Sequence, residues 1–206
     1  WLLTGGNDCT ICILSLPTLA LKARLSIQSR PVMCMSCCEY LDIIVSIDEN
    51  HQVWCYSLFK PRLYHTFQVH CPSNSKHQIL VIQSGFIIIS STSSYSINNR
   101  SHSHVHNKNC YENERHCIDI FDLHGNFVKN ITIESSVVKL RYINLLSSDS
   151  YIVASLENRS LIFIQISTFE LLNLISDEVL PNFFSIDDVH KEIHYVAVES
   201  GVNKLK

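Results

Sequence analysis

Two Cys-x-x-Cys pairs, Cys9 with Cys12 and Cys34 with Cys37, are the first residues in this 206-residue chain whose spacing could do chemistry. Four thiolates can hold Zn²⁺ tetrahedrally, and the 21 residues between the pairs come close to the spacing of a zinc ribbon. Two features weaken that zinc-binding module. Neither pair has a Gly or Pro beside it to turn backbone amides toward sulfur. Cys9 opens a β-type apolar stretch and Cys12 lies three positions on, so a period of two points the two thiols to opposite faces. Cys among Ile and Val behaves as a small buried hydrophobe, and zinc on these four residues is kept as an alternative only.

A second concentration of ligating types is His102, His104, His106 and His116 with Cys110 and Cys117. Neutral imidazoles bind Zn²⁺ or Cu²⁺. The Ser-His-Ser-His alternation, however, has the composition of a solvated loop with no rigid frame. Ser and His are abundant, yet there is no G-x-S-x-G elbow and no Gly-rich phosphate loop. The acidic neighbours Asp48-Glu49 and Asp187-Asp188 fall at expected turns or strand ends and are expected to be solvated carboxylates. The expectation is therefore no catalytic, cofactor-binding or metal residue, and no enzyme.

The elements that would carry these residues follow from composition. Ile contributes 24 residues and Val 15, about a fifth of the chain, while charged residues make up 17%. β-branched residues lose rotamer freedom on a helix and pack well on a pleated sheet, which excludes a disordered chain and disfavours a helical bundle. The net charge of −3 shows no basic footprint for nucleic acid. The most apolar region, 79–91, is broken by Gln83, Ser84 and Gly85 and falls short of the roughly 20 residues a spanning helix needs. The chain opens without a basic segment leading into an apolar one, so no signal peptide is expected. Nine Cys in a chain of this size suggest reduced thiols and a cytoplasmic setting, which makes the sequons at Asn99, Asn130 and Asn158 chance matches.

Internal repetition organises the chain. Four segments (2–16, 42–58, 86–123 and 151–166) share one pattern: an apolar strand, a polar turn, and a second strand of alternating character. The second strands are 11–16 (ICILSL), 53–58 (VWCYSL), 118–123 (IDIFDL) and 161–166 (LIFIQI). Their starts are separated by 42, 65 and 43 positions, and the long interval carries an excess of 22 that matches a Ser/Asn/His-rich tract at 93–116. Further strands flank the hairpins at 32–37, 62–69, 137–143 and 169–176. Four strands per roughly 40–45 residues is the unit of a β-propeller blade. The expectation is an all-β, WD-repeat-type propeller over 1–206. It would be a partial ring of about four to five blades cut from a larger protein, with a disordered blade insertion at 93–116. A full seven-bladed ring needs roughly 300 residues.

The first hairpin, Leu2-Leu3-Thr4-Gly5-Gly6-Asn7-Asp8-Cys9-Thr10-Ile11, resembles the Gly-rich strand–turn–strand of WD repeats. Leu41-Asp42-Ile43-Ile44-Val45-Ser46 with Tyr56-Ser57-Leu58 resembles a blade of the WD-repeat propeller at the C-terminus of BEACH-domain proteins. Gly85-Phe86-Ile87-Ile88-Ile89 and the stretch Ile118-Asp119-Ile120-Phe121-Asp122-Leu123-His124-Gly125-Asn126-Phe127 are similar to the neurobeachin branch. Asp149-Ser150-Tyr151-Ile152-Val153-Ala154 continues in register. The Trp-Asp pair that ends a strong repeat is replaced by Ser15-Leu16, Ser57-Leu58, Asp122-Leu123 and Gln165-Ile166. An Asp-His-Ser-Trp hydrogen-bond set is likewise not expected.

The resemblance implies a non-enzymatic protein-interaction scaffold in vesicle trafficking and protein sorting, peripheral on endomembranes, with a BEACH domain upstream. The partners would be other proteins bound on propeller faces; a WD-repeat subunit of an unrelated complex is the alternative. The 93–116 tract would project from the face that carries the loops between second and third strands. Tyr40, Tyr64 and Tyr95 are possible interface anchors, each more readily read as ordinary packing. Trp54 is expected in the core between blades, and Lys60 and Arg62 around Pro61 make too small a basic patch for lipid or RNA.

Overall fold

The computed structural model describes residues 1–26, 28–72, 75–95, 113–144, 150–175, 179–187, 192–197 and 201–205. Within them every regular element is a strand, and no helix is long and apolar enough to cross a membrane. The strands are β1 (Leu2–Gly5), β2 (Ile11–Leu14), β3 (Leu21–Leu25), β4 (Val32–Cys38), β5 (Ile43–Asp48), β6 (Gln52–Ser57), β7 (Leu63–Gln68), β8 (Lys76–Ile82) and β9 (Phe86–Tyr95). They continue as β10 (Asn113–Asp122), β11 (Phe127–Ile133), β12 (Val137–Asn144), β13 (Ser150–Leu156), β14 (Leu161–Gln165), β15 (Glu170–Ile175), β16 (Val179–Asp187), β17 (Glu192–Ala197) and β18 (Gly201–Leu205). They form five antiparallel meanders. Sheets β4–β7, β8–β11 and β12–β15 have four strands each; β1–β3 and β16–β18 have three. The fifth sheet already contains β18, one strand further than the repeat pattern reaches.

Repetition is visible in backbone detail. The ladder between third and fourth strands slips at Ile13/Leu14, Cys55/Tyr56, Ile120/Phe121 and Phe163/Ile164, the same place in four successive sheets. In the turn that leads into the third strand, Cys9, His51 and Arg159 each adopt positive φ, at 59°, 61° and 67°. Each closes its turn through a backbone hydrogen bond to the carbonyl three residues earlier, at 3.1, 2.9 and 3.1 Å. These equivalences place β1 beside β5, β9 and β13 as the second strand of a blade. The fold thus repeats at the level of turn geometry, where the side chains differ.

Core packing explains which strands read as apolar runs. In β5 all six residues are buried, with Ile43, Val45 and Ile47 facing the third sheet and Ile44 facing the first. In β9, Ile87 and Ile89 face the second sheet while Ile88 faces the fourth. A second strand is therefore sandwiched between neighbouring blades, and both of its faces must be apolar. The outermost strand β7 instead alternates half-buried and exposed, as a strand with one wet face does. Each fully buried Ile contributes roughly 1.5–3 kcal/mol. First strands sit side by side, with β4 against β8, β8 against β12 and β12 against β16.

The two ends of the 93–116 tract lie in strand. Tyr95 pairs with Asn113, Ser94 with Glu114 and Ser93 with Arg115. Residues 96–112, the remainder of that expected insertion, lie outside the described residues.

Candidate functional site

Antiparallel meanders put their turns at two ends. One end carries the turns after β2, β4 and β6. It exposes four large apolar side chains, Leu16 and Leu19 after β2, Tyr40 after β4 (79% exposed) and Phe59 after β6, beside the exposed Thr18, Glu39, Lys60 and Arg62. The turn after β2 is tight, closed by Leu19 N–H donating to the Ser15 carbonyl at 2.7 Å with Leu19 at φ 52°. That geometry pushes the Leu19 side chain outward. Tyr64 lies near this end, but its hydroxyl donates to Asp42 Oδ2 at 3.0 Å and Arg62 lies 5.5 Å from its ring centroid. Its role as an anchor is thus shared with local packing. Tyr95's side chain is outside the described residues.

The opposite end carries the β5–β6 turn and the β7–β8 connection, and here the structure corrects two expectations. Asp48 is 2% exposed, not a solvated carboxylate. Its Oδ1 accepts from the backbone N–H of Asn50 at 2.9 Å and of Gln52 at 3.0 Å, and its Oδ2 accepts from Trp54 Nε1 at 2.9 Å. Glu49 beside it is exposed. Ser46, fully buried, accepts a hydrogen bond from Gln28 Nε2. Asp48, Trp54 and Ser46 of the second sheet, with Gln28 from the β3–β4 connection, therefore form a polar set resembling the one not expected, with Gln in it rather than His. The Asp48 carboxylate is satisfied by its three donors, and a satisfied buried group of this kind rigidifies a turn. Trp54 also packs on the core between the first and second sheets, as expected.

The four-cysteine zinc alternative is not assembled. Cys9 sits in the β1–β2 turn with its thiol toward the Asn7 carbonyl at 3.7 Å, and Cys12 lies in β2. Cys34 packs against the core between the second and third sheets, and burial pushes its thiol up to about 12. Cys37, three residues along the same strand, is exposed. Strand alternation separates each pair, so they do not form a ligand group. All described cysteines are free thiols.

A different group does converge. His51, Cys71 and His77 bring one ligating atom each to within 4.8 Å of one another. Among the described residues no other group of three or more His, Cys, Asp or Glu does so. His77 Nε2 lies 2.8 Å from His51 Nδ1 and 3.5 Å from Cys71 Sγ, and His77 Nδ1 lies 3.0 Å from Ser91 Oγ. The rings meet edge to face, 4.8 Å between centroids. Burial, followed by the adjacent His51, lowers His77 to about 4, and burial raises Cys71 to about 11. Sequence spacing gives no hint of this trio. Of the histidine tract, His116 is buried in β10 with Nδ1 3.3 Å from Thr92 Oγ1, and Cys117 is half-buried. His102, His104, His106 and Cys110 lie outside the described residues.

No family model matches the chain, and no curated protein does. Solved structures do match. The crystal structure of the Myceliophteria thermophila Cps50 (Swd1) β-propeller domain resembles 98% of this chain with a TM-score of 0.61 and 11% sequence identity. The chain spans 60% of that propeller domain. The likeness establishes the fold: the five sheets are propeller blades.

Proposed function

We propose that this chain is the WD-repeat propeller of a BEACH-family protein. Its work is that of a non-enzymatic protein-interaction scaffold in vesicle trafficking and protein sorting, cytoplasmic and peripheral on endomembranes. The observation that carries the scaffold reading is the apolar end formed by Leu16, Leu19, Tyr40 and Phe59. These side chains stand on turns of rigid, fully packed sheets. Large apolar groups held on a stiff frame lose little entropy when a partner covers them, and aromatic residues are enriched among binding anchors. The BEACH assignment is supported by the quoted motifs on β5–β6, β9–β10 and β13, and the β1–β2 hairpin supports WD repeats in general.

The test has two parts. In the full-length protein, Tyr40→Ser combined with Phe59→Ser should release a co-purifying protein partner while leaving the thermal midpoint unchanged. An undiminished partner set overturns this surface. Reading the transcript on the 5′ side of the Trp1 codon should reveal a BEACH region. A reading frame without one moves the chain to a WD-repeat subunit of an unrelated complex and leaves the scaffold role standing.

A further inference from the structure

We infer that His51, Cys71 and His77 bind a divalent transition-metal ion, Zn²⁺ by the nature of the ligand set, and that the ion clips the second blade to the third. The three residues come from three segments: the β5–β6 turn, the β7–β8 connection and strand β8. Two imidazoles and a thiol are the donors that zinc selects.

Two of the three ligand-to-ligand distances lie near those an ion requires, and the third is within 4.8 Å. Bond lengths of roughly 2.0–2.1 Å to nitrogen and 2.3 Å to sulfur in a tetrahedron give edges of about 3.3 Å between nitrogens and about 3.6 Å between nitrogen and sulfur. The pair His77 Nε2 and Cys71 Sγ, 3.5 Å apart, already lies at that edge. The two ring nitrogens at 2.8 Å need to spread by about half an ångström to admit the ion.

The surroundings orient the ligands. The Ser91 hydroxyl at His77 Nδ1 leaves Nε2 to carry the lone pair when Nδ1 holds the proton, which is the role an outer partner plays for a ligating His. His51 is fixed by its positive φ and by its backbone: its N–H donates to Asp48 at 2.9 Å and its carbonyl accepts from Val69 at 3.1 Å. Among the described residues its buried Nε2 has no hydrogen-bond partner. The ring therefore gains little from its present setting beyond the single contact to His77. On binding, the Cys71 thiol gives its proton to solvent and the thiolate donates to the metal. Three protein ligands leave the fourth position to water.

The experiment uses the full chain, reduced and stripped with a chelator, carrying His102→Asn, His104→Asn and His106→Asn to remove competing imidazoles. Co²⁺ titration should give a thiolate-to-cobalt charge-transfer band that saturates at one ion per chain and is displaced by Zn²⁺. Cys71→Ser should abolish the band. His77→Gln, which keeps a hydrogen bond to Ser91 within reach and retains Cys71, should weaken binding at least about tenfold. Zn²⁺ should raise the thermal midpoint of the parent and leave that of His77→Gln unmoved. Absence of the band and of the thermal shift in the parent overturns the site. So does a band that survives Cys71→Ser or an affinity that His77→Gln does not change. Should Cys71→Ser fail to fold, the parent titration and His77→Gln decide the question.

Discussion

The indole N–H of Trp54 donates to Oδ2 of Asp48 at 2.9 Å, across the turn that joins β5 to β6. Two backbone amides complete the carboxylate's partners, so a buried charge is matched by three donors. Hydrogen bonds to an ionised group contribute about 1.5–3 kcal/mol each. Trp54→Phe keeps the ring in the core and removes one of them; it should lower stability by about 2 kcal/mol, read as a reduced urea midpoint. Asp48→Ala orphans all three donors and should cost more than Trp54→Phe. Equal losses would show that the indole contact carries the whole effect.

Asp42 offers a pH-dependent counterpart on the other end of the same sheet. Its Oδ1 accepts from Phe59 N at 2.7 Å, and its Oδ2 accepts from Ser57 Oγ at 2.7 Å and Tyr64 OH at 3.0 Å. Burial acts to raise its pKa, but these hydrogen bonds outweigh it and hold the carboxyl below its ordinary value. A depressed folded-state pKa gives stability that is fully present above the unfolded value of about 3.9 and lost as pH falls through the folded value. Asp42→Asn tolerates the positive φ of 52° at this position. The stability difference between wild type and Asp42→Asn should be constant at neutral pH and shrink below about pH 4. A difference that grows on acidification would contradict the assignment.

Two glycines separate backbone strain from crowding. Gly85 and Gly125 both have positive φ, 87° and 83°. A Cβ at Gly85 would meet Leu123 at an ordinary 3.8 Å, whereas one at Gly125 would lie 2.6 Å from the Phe67 ring of the neighbouring sheet. Gly85→Ala should therefore cost about 1–2 kcal/mol, and Gly125→Ala about 2–4 kcal/mol. Adding Phe67→Leu should recover part of the second loss only. Thermal unfolding of the three single variants and the double variant checks this.

Thiol labelling distinguishes buried cysteines from ligands. Burial pushes both Cys34 and Cys55 up to about 12. Cys37 is exposed, though burial of its sulfur and the adjacent Cys38 also raise its pKa. With iodoacetamide at neutral pH, mass spectrometry should find Cys37 modified well before Cys34 and Cys55. Faster labelling of Cys34 than of Cys37 would refute the packing described for β4.

The strands were legible because each kind of burial leaves its own pattern. The runs IIVSID in β5 and FIII in β9 follow from burial on two faces, and the alternation in β7 from burial on one. The fixed interval between hairpins revealed the blade unit, since third strands carry their ladder slip at the same offset. Asp48 departs from expectation because an acidic residue in a turn is ordinarily wet, whereas here the Trp54 indole, six residues on, joins the backbone amides of Asn50 and Gln52 as donors to the buried carboxylate. His51 and His77 lie 26 residues apart on different sheets. Nothing local joins them; blade stacking brings the turn of one sheet to the first strand of the next.

β9 and β10 outrun their neighbours. β8 leaves the ladder at Lys76 opposite Thr92, and β11 leaves at Ile133 opposite His116, while the β9–β10 pairing goes on from Ser93 with Arg115 to Tyr95 with Asn113. The extension is a two-stranded ribbon that continues beyond the four-stranded part of the blade. Past Ser93 and Arg115 the pair is held by one ladder alone among the described residues, so its register rests on the β9–β10 hydrogen bonds and on nothing from β8 or β11.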